Sequence, residues 1–187
     1  MRTPPTIVNE HERLAALNKL RVLDTPPEER FDRITRLASS IFDCRFASIT
    51  FVDDSRQWFK SAINFDMTET QRDVAFCAHA VAQDKTLVVP DTQEDPRFKS
   101  NPYVVGHPHI RFYAGARLMI EGVAVGTLCV LDNNPKIFNC VQIQQLEQLA
   151  KLVESELQRQ EYNDLSTQLE EYQFKLAQTQ KITRVRS

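Results

Sequence analysis

The sequence predicts an α+β fold, an antiparallel sheet with flanking helices and a long C-terminal helix. Three observations carry this. Apolar residues recur at helical spacing in two segments before residue 42. Strand-like alternation then recurs in several segments between residues 45 and 131. Residues 141–187 contain neither Gly nor Pro.

Residues 1–24 read as an N-terminal arm and helix. Met1–Val8 carries Pro4 and Pro5 and is expected to be a loose arm. Asn9 is placed to cap a first helix with Leu14, Leu17 and Leu20 on one stripe, ending near Leu23. Residues 25–158 read as the main domain. Thr25-Pro26-Pro27-Glu28 has the form of a helix start, with a hydroxyl cap, a proline in the first turn and a capping-box glutamate. Phe31, Ile34, Leu37, Ala38 and Ile41 give that second helix an apolar stripe.

Arg45–Asp53 alternates Phe46, Ser48, Thr50 and Val52 with Ala47, Ile49 and Phe51, the period of a strand. Asp53-Asp54-Ser55 is a turn, and Arg56–Asn64 reads as the returning strand. Phe65–Asp73 reads as a polar connection, Val74–Gln83 as a helix, and Thr86–Val89 as a short strand. Asp91–His109 is long enough to be a covering loop or to carry a short helix. Arg111–Ile120 and Val123–Leu131 are two further strands joined at Glu121-Gly122. From Val141 onward one continuous helix is predicted. Ile143, Leu146, Leu149, Val153 and Leu157 form a first apolar run. Tyr162, Leu165, Leu169, Tyr172 and Leu176 form a second, heptad-like run. The two are out of register across Gln158–Glu161. Residues 159–187 are therefore read as a coiled-coil-like tail that pairs with a second copy of the chain.

The 187 residues carry a net charge of −2, which gives no pull toward nucleic acid or an anionic membrane. The basic tip Lys181–Ser187 reads as a solubilising end. No apolar run reaches the ~20 residues of a membrane span. Met1–Glu10 has no apolar core of a signal peptide. The expected location is cytoplasmic. Cys44, Cys77, Cys129 and Cys140 form no C-x-x-C pair, and no structural disulfide is expected.

Six segments resemble the GAF domain of bacterial signalling proteins, in order and at its spacing. They are residues 23–38 (LDTPPEERFDRITRLA), 49–61 (ITFVDDSRQWFKS), 72–81 (RDVAFCAHAV), 87–104 (LVVPDTQEDPRFKSNPYV), 110–118 (IRFYAGARL) and 122–132 (GVAVGTLCVLD). The resemblance spans roughly residues 13–158 and implies a GAF/PAS-like sheet. It places the terminal helices on one face and a small-molecule pocket under the middle helix and long loop on the other. Members of this subgroup often precede histidine kinase or diguanylate cyclase domains. Neither a Gly-Gly-Asp-Glu-Phe motif nor a kinase nucleotide loop is present. Any output is expected to pass through the tail to a downstream signalling protein, unless the chain is a piece of a longer sensor.

The candidate ligand-binding residues are Trp58, Phe76, Cys77, His79, Asp91, Asp95, Arg97, Phe98, His109, Arg111 and Tyr113. Cys77 and His79 point about 200° apart on a helix, which disfavours a cysteine activated by that histidine. Cys77 reads foremost as a small core residue and His79 as a hydrogen-bonded polar residue near the pocket. Cys77-Ala78-His79 differs from the adjacent pair that attaches bilins in phytochrome-type GAF domains. His107-Pro108-His109 has no supporting metal motif, and no metal is expected. Arg111, Tyr113 and Arg117 give one strand a cationic, aromatic face. Arginine there suits a carboxylate or phosphate ligand, or simply pins the loop to Asp91 or Asp95. Of Trp58 and Phe59, only one can face the pocket. Free methionine sulfoxide reductases are enzymatic GAF domains that resolve a sulfenic acid with a cysteine in the covering loop. Asp91–His109 contains none, so the chain is expected not to be an enzyme. The alternatives are that reductase activity and a ligand-free adaptor. Ligand and cofactor remain unidentified at this level.

Overall fold

The computed structural model describes the backbone of residues 1–185 and the side chains of residues 1–159 and 162–175. Contacts divide the chain into two units, Met1–Glu154 and Ser155–Ser187.

In the first unit, helices α1 (Glu10–Lys19) and α2 (Glu29–Phe42) precede the hairpin β1 (Phe46–Val52) and β2 (Arg56–Ile63). A three-residue strand β3 (Glu69–Gln71) follows, then a 3-10 turn (Arg72–Val74), α3 (Phe76–Val81), β4 (Leu87–Val89) and α4 (Pro102–Val105). The hairpin β5 (Phe112–Ile120) and β6 (Val123–Asp132) leads into α5 (Cys140–Val185). The six strands form one sheet in the order β3-β2-β1-β6-β5-β4. β1 is central and antiparallel to both β2 and β6. Every one of its residues is buried, because both faces of the sheet are covered. α2 packs on β1 and β2, and α3 packs across β6, β5 and β1.

Local chemistry explains where the chain departs from its sequence pattern. α2 begins at Glu29, not at Thr25, and Thr25 donates to the Val22 carbonyl instead of capping a first turn. The segment serves a different purpose. Lys60, whose side chain is fully buried, donates to Thr25 Oγ1 at 2.7 Å and the Pro26 carbonyl at 2.8 Å, and pairs with Glu28 at 2.6 Å. A buried ammonium needs all three. α1 ends at Lys19, and Asn9 makes no side-chain cap. Within the α2 stripe Phe31, Ile34 and Ala38 are buried, whereas Leu37 and Ile41 are about half exposed, at 45% and 50%.

The arm is also tied down, contrary to expectation. The Arg2 amide donates to the Arg97 carbonyl at 3.1 Å, the Met1 ammonium donates to Ser100 Oγ at 2.8 Å, and Ile7 packs on the core. Residues 65–73 hold β3, which the polar composition of Glu69–Gln71 concealed; it pairs Arg56–Trp58 with Gln71–Glu69.

Leu146, Leu149, Ala150 and Val153 of α5 are buried. In the second unit, α5 continues with Tyr162, Leu165, Leu169, Tyr172 and Phe174 all exposed, between 57% and 73%. The side chain of Leu176 and the basic tip lie outside the described residues. Among the described residues no helix is long and apolar enough to cross a membrane.

Candidate functional site: a neutral cavity beneath α3

The cavity-facing side of β1 carries Ser48 and Thr50, and the neighbouring strand β6 carries Thr127 and Cys129 in register with them. Small polar side chains at these positions leave room between sheet and helix, and they satisfy one another there. Ser48 Oγ lies 3.1 Å from Cys129 Sγ, and Thr50 Oγ1 lies 3.1 Å from Thr127 Oγ1. α3 lowers Cys77 onto this floor, 3.7 Å from Cys129 Sγ. Tyr113 of β5 donates its hydroxyl to Cys77 Sγ at 3.3 Å. Gly115 is what lets the tyrosine lie flat over the sheet: a Cβ there would come within 2.1 Å of that hydroxyl.

The aromatic rings continue outward from this point. Phe76 stacks on Tyr113 at 5.2 Å and on Phe98 at 4.6 Å. Beside the stack is a narrow cavity of about 30 Å³, lined by Gln57, Thr70, Cys77, Tyr113 and Cys129 at its polar surfaces. Half-buried Phe65, Met67 and Tyr103 also border it. Among the described residues, no ionisable side chain other than these thiols and tyrosines lines it. Gln57 Oε1 and Thr70 Oγ1 are buried without a hydrogen-bond partner. Both residues are more than nine-tenths buried, at 6% and 8% exposure.

The thiols are electrostatically distinct. Burial raises the pKa of Cys77, but donation from Cys129, Thr127, Thr50 and Tyr113 outweighs it and brings the pKa down to about 7. Cys129 moves the opposite way, raised by burial and by its neighbour Cys77. Burial also raises Tyr113.

The structure brings Phe76, Cys77 and Tyr113 to the cavity, with Phe98 stacked behind them. It turns the other candidates elsewhere. Trp58 stacks on Phe51 at 6.5 Å on the opposite face of the sheet, and Phe59 is the hairpin residue that lines the cavity. The alternation predicted that only one of the two can, and it is Phe59. His79 is buried edge-on against Phe98, 3.2 Å from the Arg2 carbonyl, and burial lowers its pKa. His107 and His109 are exposed, although Pro108 and Ile110 beside them line the cavity. Among the described residues no cluster of three or more His, Cys, Asp or Glu side chains is placed to hold a metal.

Of the expected cationic face, Arg111 is spent on the loop itself, whereas Arg117 donates to the Asp84 carbonyl. Arg111 makes a two-pronged pair with Asp91 at 2.9 and 2.6 Å. Arg97 does the same with Asp95, the shortest contact being 2.6 Å. Arg111 holds the Asp91 carboxyl below its ordinary pKa. Of the two readings of these arginines, loop pinning is the one the geometry supports. Ser48, Gln57, Thr70 and Cys129 were not singled out from sequence, because each is a small or amide-bearing residue within an ordinary strand pattern.

The model of the GAF domain family matches residues 26–157. A cyclic di-GMP phosphodiesterase of Pseudomonas aeruginosa is 43% identical over 137 residues, 73% of this chain. The chain spans 23% of that protein's length. Among solved structures, the GAF domain of an Acinetobacter phosphoenolpyruvate-protein phosphotransferase superposes with a TM-score of 0.61 at 12% identity, covering 82% of this chain and 95% of that one. A free methionine-R-sulfoxide reductase of Neisseria meningitidis superposes with a TM-score of 0.58 at 17% identity, covering 86% and 98%. At such identities these two establish the fold alone. The expectation of a non-enzymatic protein is overturned by the Pseudomonas relative, which is named as an enzyme. It rested on the missing loop cysteine, which bears on one chemistry only. The helices, the six-stranded sheet and the family match agree: this chain belongs to the GAF domain family.

Proposed function

We propose that this chain is a GAF signalling region that governs the hydrolysis of cyclic di-GMP. The observation that carries this reading is the 43% identity to a cyclic di-GMP phosphodiesterase. The signal is a small uncharged molecule entering the cavity beneath α3. Its neutral lining and two unpartnered polar atoms support this. The output runs through a homodimer of α5 tails in the cytoplasm. The exposed Tyr162, Leu165, Leu169 and Tyr172 support that pairing, since a free helix gains nothing by showing four large apolar side chains at heptad spacing. A ligand shifts the output only by binding one tail arrangement more tightly than the other.

Two measurements test this. Deleting the gene for this chain should raise cellular cyclic di-GMP, with restoration on complementation; an unchanged level refutes the reading. Leu165→Asp combined with Leu169→Asp should give a folded monomer in sedimentation, whereas an unchanged dimer removes the tail as the main interface.

A further inference from the structure

We infer that Cys77 and Cys129 form a peroxide-reactive dithiol, and that the cavity beneath α3 admits hydrogen peroxide to them. The inference uses the cavity reading above for the route of entry.

The geometry selects the oxidant. Both sulfurs line the same cavity and lie 3.7 Å apart. About 30 Å³ is room for roughly two water molecules. That volume is too small for a nucleotide or an aromatic metabolite without movement of the walls. A neutral lining disfavours charged oxidants. Gln57 Oε1 and Thr70 Oγ1 are unpartnered and each can accept an O–H donor. Hydrogen peroxide is uncharged, has two such donors and is the size of a pair of waters.

The site also supplies order to the reaction. Cys77 is the thiol that accepts the Tyr113 hydroxyl, at 3.3 Å, while its sulfur faces that of Cys129 at 3.7 Å, and these neighbours favour its thiolate. Its thiolate attacks one peroxide oxygen, the O–O bond breaks, and the departing hydroxide takes up the proton Cys77 released. This yields a sulfenic acid and one water. The Cys129 sulfur then attacks the Cys77 sulfur and the S–O bond breaks. The hydroxyl leaves with the Cys129 proton as a second water. Two thiols lose two electrons, and one peroxide becomes two waters. The new bond, about 2.0 Å long, ties α3 to β6. The change thus reaches the element that covers the cavity.

The test uses the full chain carrying Cys140→Ser, which removes the exposed thiol. Equimolar hydrogen peroxide should remove the mass of two hydrogens and leave a Cys77–Cys129 crosslinked peptide after digestion. Cys129→Ser in the same background should stop at a sulfenic acid that a cyclic dione traps at Cys77. Cys77→Ser should abolish the reaction while circular dichroism stays that of the folded protein. tert-Butyl hydroperoxide should react more slowly than hydrogen peroxide. If Cys77 and Cys129 both remain alkylatable on unfolding after peroxide treatment, the dithiol is refuted. Equal rates for the two peroxides refute the cavity as the route. These readouts are the chain's own thiols, so they stand or fall separately from any change in cyclic di-GMP.

Discussion

The covering loop and the cavity beneath α3 lie within one domain, yet they handle polarity in opposite ways. Along the loop, every candidate charge meets an opposite one: Asp91 with Arg111, and Asp95 with Arg97. Inside the cavity the polar groups are uncharged at their ordinary protonation, and two of them meet nothing. Water makes the difference. At the surface an ion pair costs little to form and contributes little. In the interior an unpaired charge is costly, so the polar lining of the cavity is built from thiols, hydroxyls and an amide. Ligand chemistry is therefore read from the neutral interior and not from the more conspicuous arginines.

The comparison can be broken in four places. The largest effect should come from the ring stack. Phe98→Ala removes a fully buried ring from Phe76 and His79 and should cost about 3–5 kcal/mol in urea unfolding. A cost near zero would mean the stack does not hold α3. Next is Thr70→Val, which removes a buried hydroxyl that has no partner. Stability should rise by about 1 kcal/mol. A fall would show that the hydroxyl holds a bound molecule, which sharpens the reading of the cavity.

A similar magnitude, of electrostatic origin, is expected at Glu10. Arg13, and after it Arg72, outweigh the opposing effect of burial and hold its carboxyl at about 2, below the ordinary 4.5. Because the folded pKa is depressed, this stabilisation is fully present above pH 4.5 and is lost as pH falls toward 2. Glu10→Gln should flatten unfolding stability across that window by on the order of 1 kcal/mol once screening is allowed for. Equal slopes in both proteins would remove Glu10 as the cause. The smallest effect belongs to Arg111→Met at the rim, which should leave the unfolding midpoint unchanged. A large loss there would mean that the loop pair supports the domain after all.

Periodicity made most of the sheet legible. The alternation in residues 45–53, 56–64, 111–120 and 123–131 matches β1, β2, β5 and β6 within a residue or so at each end. Strand alternation is a local property, set by the pleat. Cys77, Phe76 and Tyr113 were also within reach, because they lie in motifs that a family resemblance flags. Cys129 was not. It lies 52 residues from Cys77, and only the packing of α3 on β6 joins them. Trp58 and Phe59 show the same limit. Their alternation says that they diverge, but which one meets the cavity depends on which face α3 covers.

The amino-acid sequence by itself determined the α+β class, the order of the longer strands and helices, the helical continuation from Val141 and the GAF membership. All of these follow from local periods and from motifs that travel with the chain. Tertiary structure alone decided that Thr25–Glu28 serves a buried lysine instead of capping a helix, and that the arginines are spent on their own loop. It also decided that two cysteines, a tyrosine and a set of hydroxyls share one cavity. Such outcomes depend on which groups lose water together, and that is fixed only when distant segments pack.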